Sequence, residues 1–215
     1  RLYFTLRKVN ANKNGLQLAL KTLPQSNEYA LYSAYEQYRL QYKINYDLDA
    51  ALSALEICLK KCPDSDPLRK IYAETAFSGG KFESAAEFLA GLLDKNNQKE
   101  DVANLYKLIG ECYYNTAQCD VAEQYFLRNK QEKDQKEIIV NLAKLAWLKQ
   151  NESEFTEKIA ALKSLEFDDE IDQITEFQNE LNTESLRELY LLTLSLNLYD
   201  RKQAKESLRK FSLES

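Results

Sequence analysis

Between residues 29 and 42 the aromatic and apolar positions advance in steps of three and four: Tyr29, Leu31, Tyr32, Tyr35, Tyr38 and Tyr42. That spacing lays most of them along one stripe of an α-helix. A second stripe follows at Leu48, Ala51, Leu52, Leu55, Leu59 and Cys62, with Asp47 or Asp49 as its N-cap and Pro63 as its stop. The pattern restarts at Asp66 and Pro67, a carboxylate cap followed by proline at the first helical position, and runs through Ile71, Tyr72, Ala73, Ala76 and Phe77. Gly79 and Gly80 permit a left-handed turn. Phe82, Ala85, Leu89 and Leu92 line the next helix, and 94–100 form a polar connector. Leu105, Tyr106, Ile109, Gly110 and Tyr113 then mark one helix, and Val121, Ala122, Tyr125 and Phe126 another.

Past Asp134 the pattern persists but loosens. A helix is expected over 138–148, carrying Leu142, Leu145, Ala146 and Trp147, with a return helix through Phe155, Ile159 and Leu162. An acidic helix over 168–181 presents Ile171, Ile174, Phe177 and Leu181. A last hairpin is expected from 183–198 and 203–213, and residues 1–24 read as part of an earlier unit ended by Pro24.

Ala51, Ala85 and Ala122 recur at intervals of 34 and 37 residues, each followed four positions later by Leu55, Leu89 or Phe126. A helical hairpin repeated at that period cannot hide both of its apolar stripes alone, so each unit must cover its neighbour. The closest helix crossings then require small residues: Ala51, Ala73, Ala85, Gly110 and Ala122. The expectation is an all-α stack over 1–215, with clear repeats at 32–65, 66–99 and 103–136 and degenerate hairpins at 137–165 and 183–213.

Composition narrows the chemistry. Only 5 Gly and 3 Pro occur among 215 residues, which favours long helices joined by tight turns. A net charge of −5 argues against a phosphate-backbone binder, which needs a basic stripe. No apolar run is long enough to span a membrane. Histidine is absent, removing the commonest neutral-pH base and a common zinc ligand. Cys58, Cys62, Cys112 and Cys119 lack the spacing of a zinc knuckle and read as free, mostly buried thiols. No glycine-rich phosphate loop, nucleophile elbow or metalloprotease motif appears. The residues thus point to no catalytic centre, no metal and no cofactor.

Three sets of residues carry a likeness to a known family: Tyr42, Ala51, Leu55 and Pro63; Ala73, Gly80, Phe82, Ala85 and Leu89; and Gly110, Tyr113, Ala122 and Phe126. In them the chain resembles the tetratricopeptide repeat family. It departs where Tyr35, Arg69 and Tyr106 replace the usual tryptophan, and where the second and third units lack a closing proline. The resemblance implies a right-handed superhelical solenoid of antiparallel hairpins. It also implies a non-enzymatic scaffold or adaptor that holds a protein or peptide partner within a larger complex.

First helices would line the concave side, making Tyr35, Tyr38, Arg39, Tyr42, Arg69, Lys70, Lys107 and Tyr114 the expected partner-binding residues. For each tyrosine, and for Trp147, the competing reading is simple core filling. The carboxylate-gripping arrangement known in the family is not matched, because Glu74 and Glu111 follow Lys70 and Lys107 by one turn. Asp168, Asp169, Glu170 and Asp172 read as helix N-terminal charge, and the basic run from Arg201 to Lys210 as a solvated face. The alternative functional reading is a helical-repeat subunit of a ribonucleoprotein or of an enzyme complex.

Overall fold

The computed structural model describes residues 27–93, 99–131 and 134–195. Among these residues the chain forms ten α-helices, one π-helical turn and no strand. The class is the all-α helical repeat that the periodicity predicts. The expected units at 1–24 and 203–213 lie outside the described residues. The chain divides into two compact units at Gly79–Gly80, a boundary inside the expected repeat 66–99.

The first unit holds α1 (Asn27–Leu40), the π-helical turn Gln41–Asn45, α2 (Leu48–Lys61) and α3 (Asp66–Ser78). Tyr46 ends the π turn in the left-handed conformation, and its N–H reaches back to the Gln41 carbonyl. Asp47 caps α2, its side chain accepting from the Ala50 N–H at 3.0 Å. The inner face of α2 is fully apolar: Ala51, Leu52, Ala54, Leu55, Cys58 and Leu59 are all buried. Helix α3 starts one residue sooner than expected. Ser65 occupies the cap position without a side-chain bond, and Asp66 and Pro67 fall inside the first turn. Proline fits there because a first-turn N–H has no intrahelical acceptor.

The second unit contains α4 (Phe82–Leu93), α5 (Lys99–Asn115), α6 (Cys119–Arg128), α7 (Gln135–Leu148), α8 (Glu152–Ser164), α9 (Asp168–Glu180) and α10 (Glu184–Ser195). Helix α5 packs against α4 and α6, and α7 against α6, α8 and α9. One cluster joins Ala122 and Phe126 of α6 to Ile138, Leu142 and Leu145 of α7. Another joins Val140 and Ala143 of α7 to Leu162 of α8 and Ile174 of α9. Asn129 is buried after α6 and fully engaged. Its amide N–H groups reach the Ala103 carbonyl at 3.1 Å and Asp134 at 2.9 Å, and its oxygen accepts from the Gln131 N–H at 3.0 Å.

A backbone mark repeats with the sequence. Tyr46, Gly80, Ala117 and Gln150 all take positive φ, at 55°, 71°, 61° and 59°, spaced 34, 37 and 33 residues apart; Glu166, between α8 and α9, takes it off this interval, at 60°. Two of these turns close in the same way. The Gln118 N–H bonds to the Tyr113 carbonyl, and the Asn151 N–H to the Ala146 carbonyl, each at 2.9 Å. Such bonds satisfy carbonyls orphaned at a helix end. Five residues after each turn stand Ala51, Ala85, Ala122 and Phe155; seven before the last three stand Ala73, Gly110 and Ala143. All the small residues in this set are buried. The fourth unit looked degenerate because a phenylalanine fills the position held by alanine elsewhere. Phe155 is half-buried, with its ring 5.2 Å from that of Trp147.

Candidate partner-binding surface

In the first unit, α1 presents its tyrosines as a ladder. The ring centroids of Tyr35 and Tyr38 are 5.7 Å apart, and so are those of Tyr38 and Tyr42, the latter pair stacked at 18°. Tyr38 is the interior rung. It is 7% exposed, and its hydroxyl lies 3.4 Å from Thr75 Oγ1 on α3. The Thr75 hydroxyl already donates to the Ile71 carbonyl at 2.7 Å, so Tyr38 is the donor. Burial is the leading cause that pushes the Tyr38 hydroxyl pKa up. Tyr38 therefore belongs to the core between two first helices and drops out of the expected contact set. Tyr35 and Tyr42 are half-exposed.

The charged candidates of this unit are fixed to differing degrees. Arg39 pairs at 3.2 Å with Glu36, whose side chain is almost wholly buried. Arg69 donates from Nε to the Pro63 carbonyl at 3.0 Å and lies 3.9 Å from Asp64. Lys70 is exposed. Tyr46 is the most exposed large apolar side chain among the described residues, at 85%. It stands in the left-handed conformation at the end of the π turn, outside either helix.

Lys107 and Tyr114 fall in the second unit. Lys107 Nζ lies 2.6 Å from Glu137 Oε2 of α7. Burial lowers the lysine pKa, but the hydrogen bond and charge of Glu137 outweigh it, and the net shift is upward. One turn on, Glu111 is pushed up to about 7, chiefly by burial. Lys107 opposes this, and Glu137 and Asp134 add to it. Tyr114 is half-buried, and its hydroxyl lies 3.2 Å from that of Tyr190 on α10. An internal contact therefore already engages Tyr114.

The remaining singled-out residues are structural. Trp147 is half-buried and donates from its indole to the Leu181 carbonyl at 3.0 Å. All four cysteines are free. Burial raises the Cys58 thiol to about 11 and the Cys112 thiol to about 12, so neither forms thiolate readily. Glu170 is bound by Lys136 at 2.6 Å, which ties the acidic start of α9 to α7. No described helix is long and apolar enough to cross a membrane.

A family model described as the tetratricopeptide repeat matches residues 44–109. No curated protein matches the chain. The matched stretch contains Ala51, Ala73 and Ala85 and the left-handed turns at Tyr46 and Gly80. Over those residues the chain is similar to the tetratricopeptide repeat family.

Proposed function

We propose that this protein is a non-enzymatic scaffold that binds a helix or extended peptide of a partner protein across its first helices, within a larger complex. Tetratricopeptide repeats generally mediate protein–protein interactions, and the family is generally non-catalytic. The observation that carries the finer reading is the tyrosine ladder of α1. Its middle rung, Tyr38, is anchored by Thr75, while Tyr35 and Tyr42 stay half-exposed on either side. Rings held in this way lose little freedom when a partner covers them, and tyrosine offers both apolar area and a polar tip. Lys70 and Arg69 on α3 favour a partner with an acidic flank.

The test is capture from a native extract by the full chain and two variants. Tyr35→Ala combined with Tyr42→Ala should keep the melting temperature and lose the partner. Tyr38→Ala should lower the melting temperature. Undiminished capture by the double variant counts against the α1 surface. Release of the captured material by nuclease, or by modest salt alone, would favour the ribonucleoprotein reading instead.

A further inference from the structure

Helix α10 leaves the succession of hairpins. The four earlier turns from first to second helix hold a left-handed residue, whereas the link from α9 to α10 passes through Leu181 at φ −119°. α10 then lies against α5 and α7, the first helices of the third and fourth hairpins. It therefore rests on first helices, the kind of helix that the function above assigns to binding.

The contacts that hold α10 resemble those of an interface. Leu186 packs with Leu148 and Leu181, flanked by Tyr114, Trp147, Phe177, Tyr190 and Leu191. The Tyr190 ring meets Phe177 edge-on at 5.6 Å, and its hydroxyl meets that of Tyr114. The Arg187 guanidinium sits 4.9 Å over the Trp147 ring and donates to the Leu181 carbonyl at 3.3 Å. Tryptophan, tyrosine and arginine are the residues that dominate binding hot spots. The fit is incomplete, because Arg187 Nε is buried with no hydrogen-bond partner. Release of α10 would hydrate that donor, which lowers the cost of opening.

We propose that α10 is a displaceable internal occupant of the α5–α7 face, and that its release admits a partner helix presenting Leu, Arg and Tyr in the spacing of Leu186, Arg187 and Tyr190. This rests on the reading of first helices as the partner-facing side. It adds a control: the partner and α10 compete for the same rings, so affinity is reduced by the fraction of molecules in the closed state.

Two measurements on the full chain test this. Native-state hydrogen exchange should show α10 amides opening at least tenfold sooner than those of α7. A labelled synthetic peptide of residues 184–195 should bind a Leu186→Asp, Tyr190→Ala variant at least tenfold more tightly than the unaltered chain. Exchange of α10 and α7 in one cooperative step would make α10 a permanent core helix and overturn the proposal, whether or not the variant folds. Early opening with no peptide binding by a folded variant would overturn it as well. Neither result touches the α1 ladder, whose failure is read separately in the Tyr35 and Tyr42 capture experiment.

Discussion

Gly110 on α5 faces the ring of Phe126 on α6 so closely that a Cβ built on the glycine would sit 2.7 Å from both Cδ1 and Cε1. Phe126 is fully buried, so the ring has nowhere to retreat. A glycine inside a helix costs about 1 kcal/mol against alanine, and here the close crossing offsets that cost. Gly110→Ala should therefore destabilise the chain by about 1–3 kcal/mol despite its better helix propensity. Urea denaturation of Gly110→Ala, Phe126→Leu and the double variant checks this. The double variant should recover part of the loss, because the two sites share one contact. A stabilised Gly110→Ala chain would refute the close packing.

Ala117 carries a φ of 61° at the turn between α5 and α6, where the equivalent residue of the preceding unit is Gly80 at 71°. An L-residue with a Cβ is strained in that region by about 1–2 kcal/mol. Glycine also loses more chain entropy on folding, by about 0.5–1 kcal/mol. Ala117→Gly should still leave a net gain, raising the melting temperature by about 1–3 °C. Thermal unfolding followed by circular dichroism reads the change directly, and a fall would show that the strain is absorbed elsewhere.

Phe155 stands where Ala51, Ala85 and Ala122 stand in the other hairpins. Replacing it with the residue used in those units would look like a consensus repair. Its ring, however, packs on Trp147 and flanks the cluster of Val140, Ala143, Leu162 and Ile174. Phe155→Ala should cost about 2–3 kcal/mol, somewhat below the usual loss for a fully buried phenylalanine because this one is half-buried. Trp147 fluorescence during denaturation would report both the lost stability and the altered ring environment. Unchanged stability would mean that the fourth hairpin tolerates either residue.

Glu111 links stability to pH. Burial, with Glu137 and Asp134, raises its carboxyl from an ordinary value of 4.5 to about 7, against the pull of Lys107. Between those two values the native chain retains a proton that the unfolded chain has released. The associated stability is complete below pH 4.5 and is lost as pH rises through about 7. Glu111→Gln keeps a donor for Glu137 but has no proton to lose. From pH 5 to pH 8 the unaltered chain should lose about 1–2 kcal/mol more than the variant, a figure reduced for solvent screening at a partly open site. Parallel pH profiles for the two proteins would sink the assignment.

Periodicity and residue size alone carried the helical class, most helix positions and the repeat interval. Steps of three and four decide which residues share a helix face; the small residues Ala51, Ala73, Ala85, Gly110 and Ala122 are all buried, and Gly110 lies against the Phe126 ring. Such steps are properties of neighbouring residues, so they survive without knowledge of the rest of the chain. The fourth hairpin departs from the pattern, because the large Phe155 stands at the alanine position and packs against the cluster that contains Ala143. Only the left-handed turn at Gln150 brings its register into line with the others.

Tertiary structure decided which faces are covered. Tyr35, Tyr38 and Tyr42 look equivalent along the sequence, yet Thr75, 37 residues beyond Tyr38, makes the middle ring interior. Tyr114 reads as an open first-helix residue until Tyr190, 76 residues away, meets its hydroxyl. The path of α10 is of the same kind: its apolar stripe is legible, but its docking on α5 and α7 is not. A helix pattern states that one side must be buried. It does not state against what, because that choice depends on contacts between residues far apart in the chain.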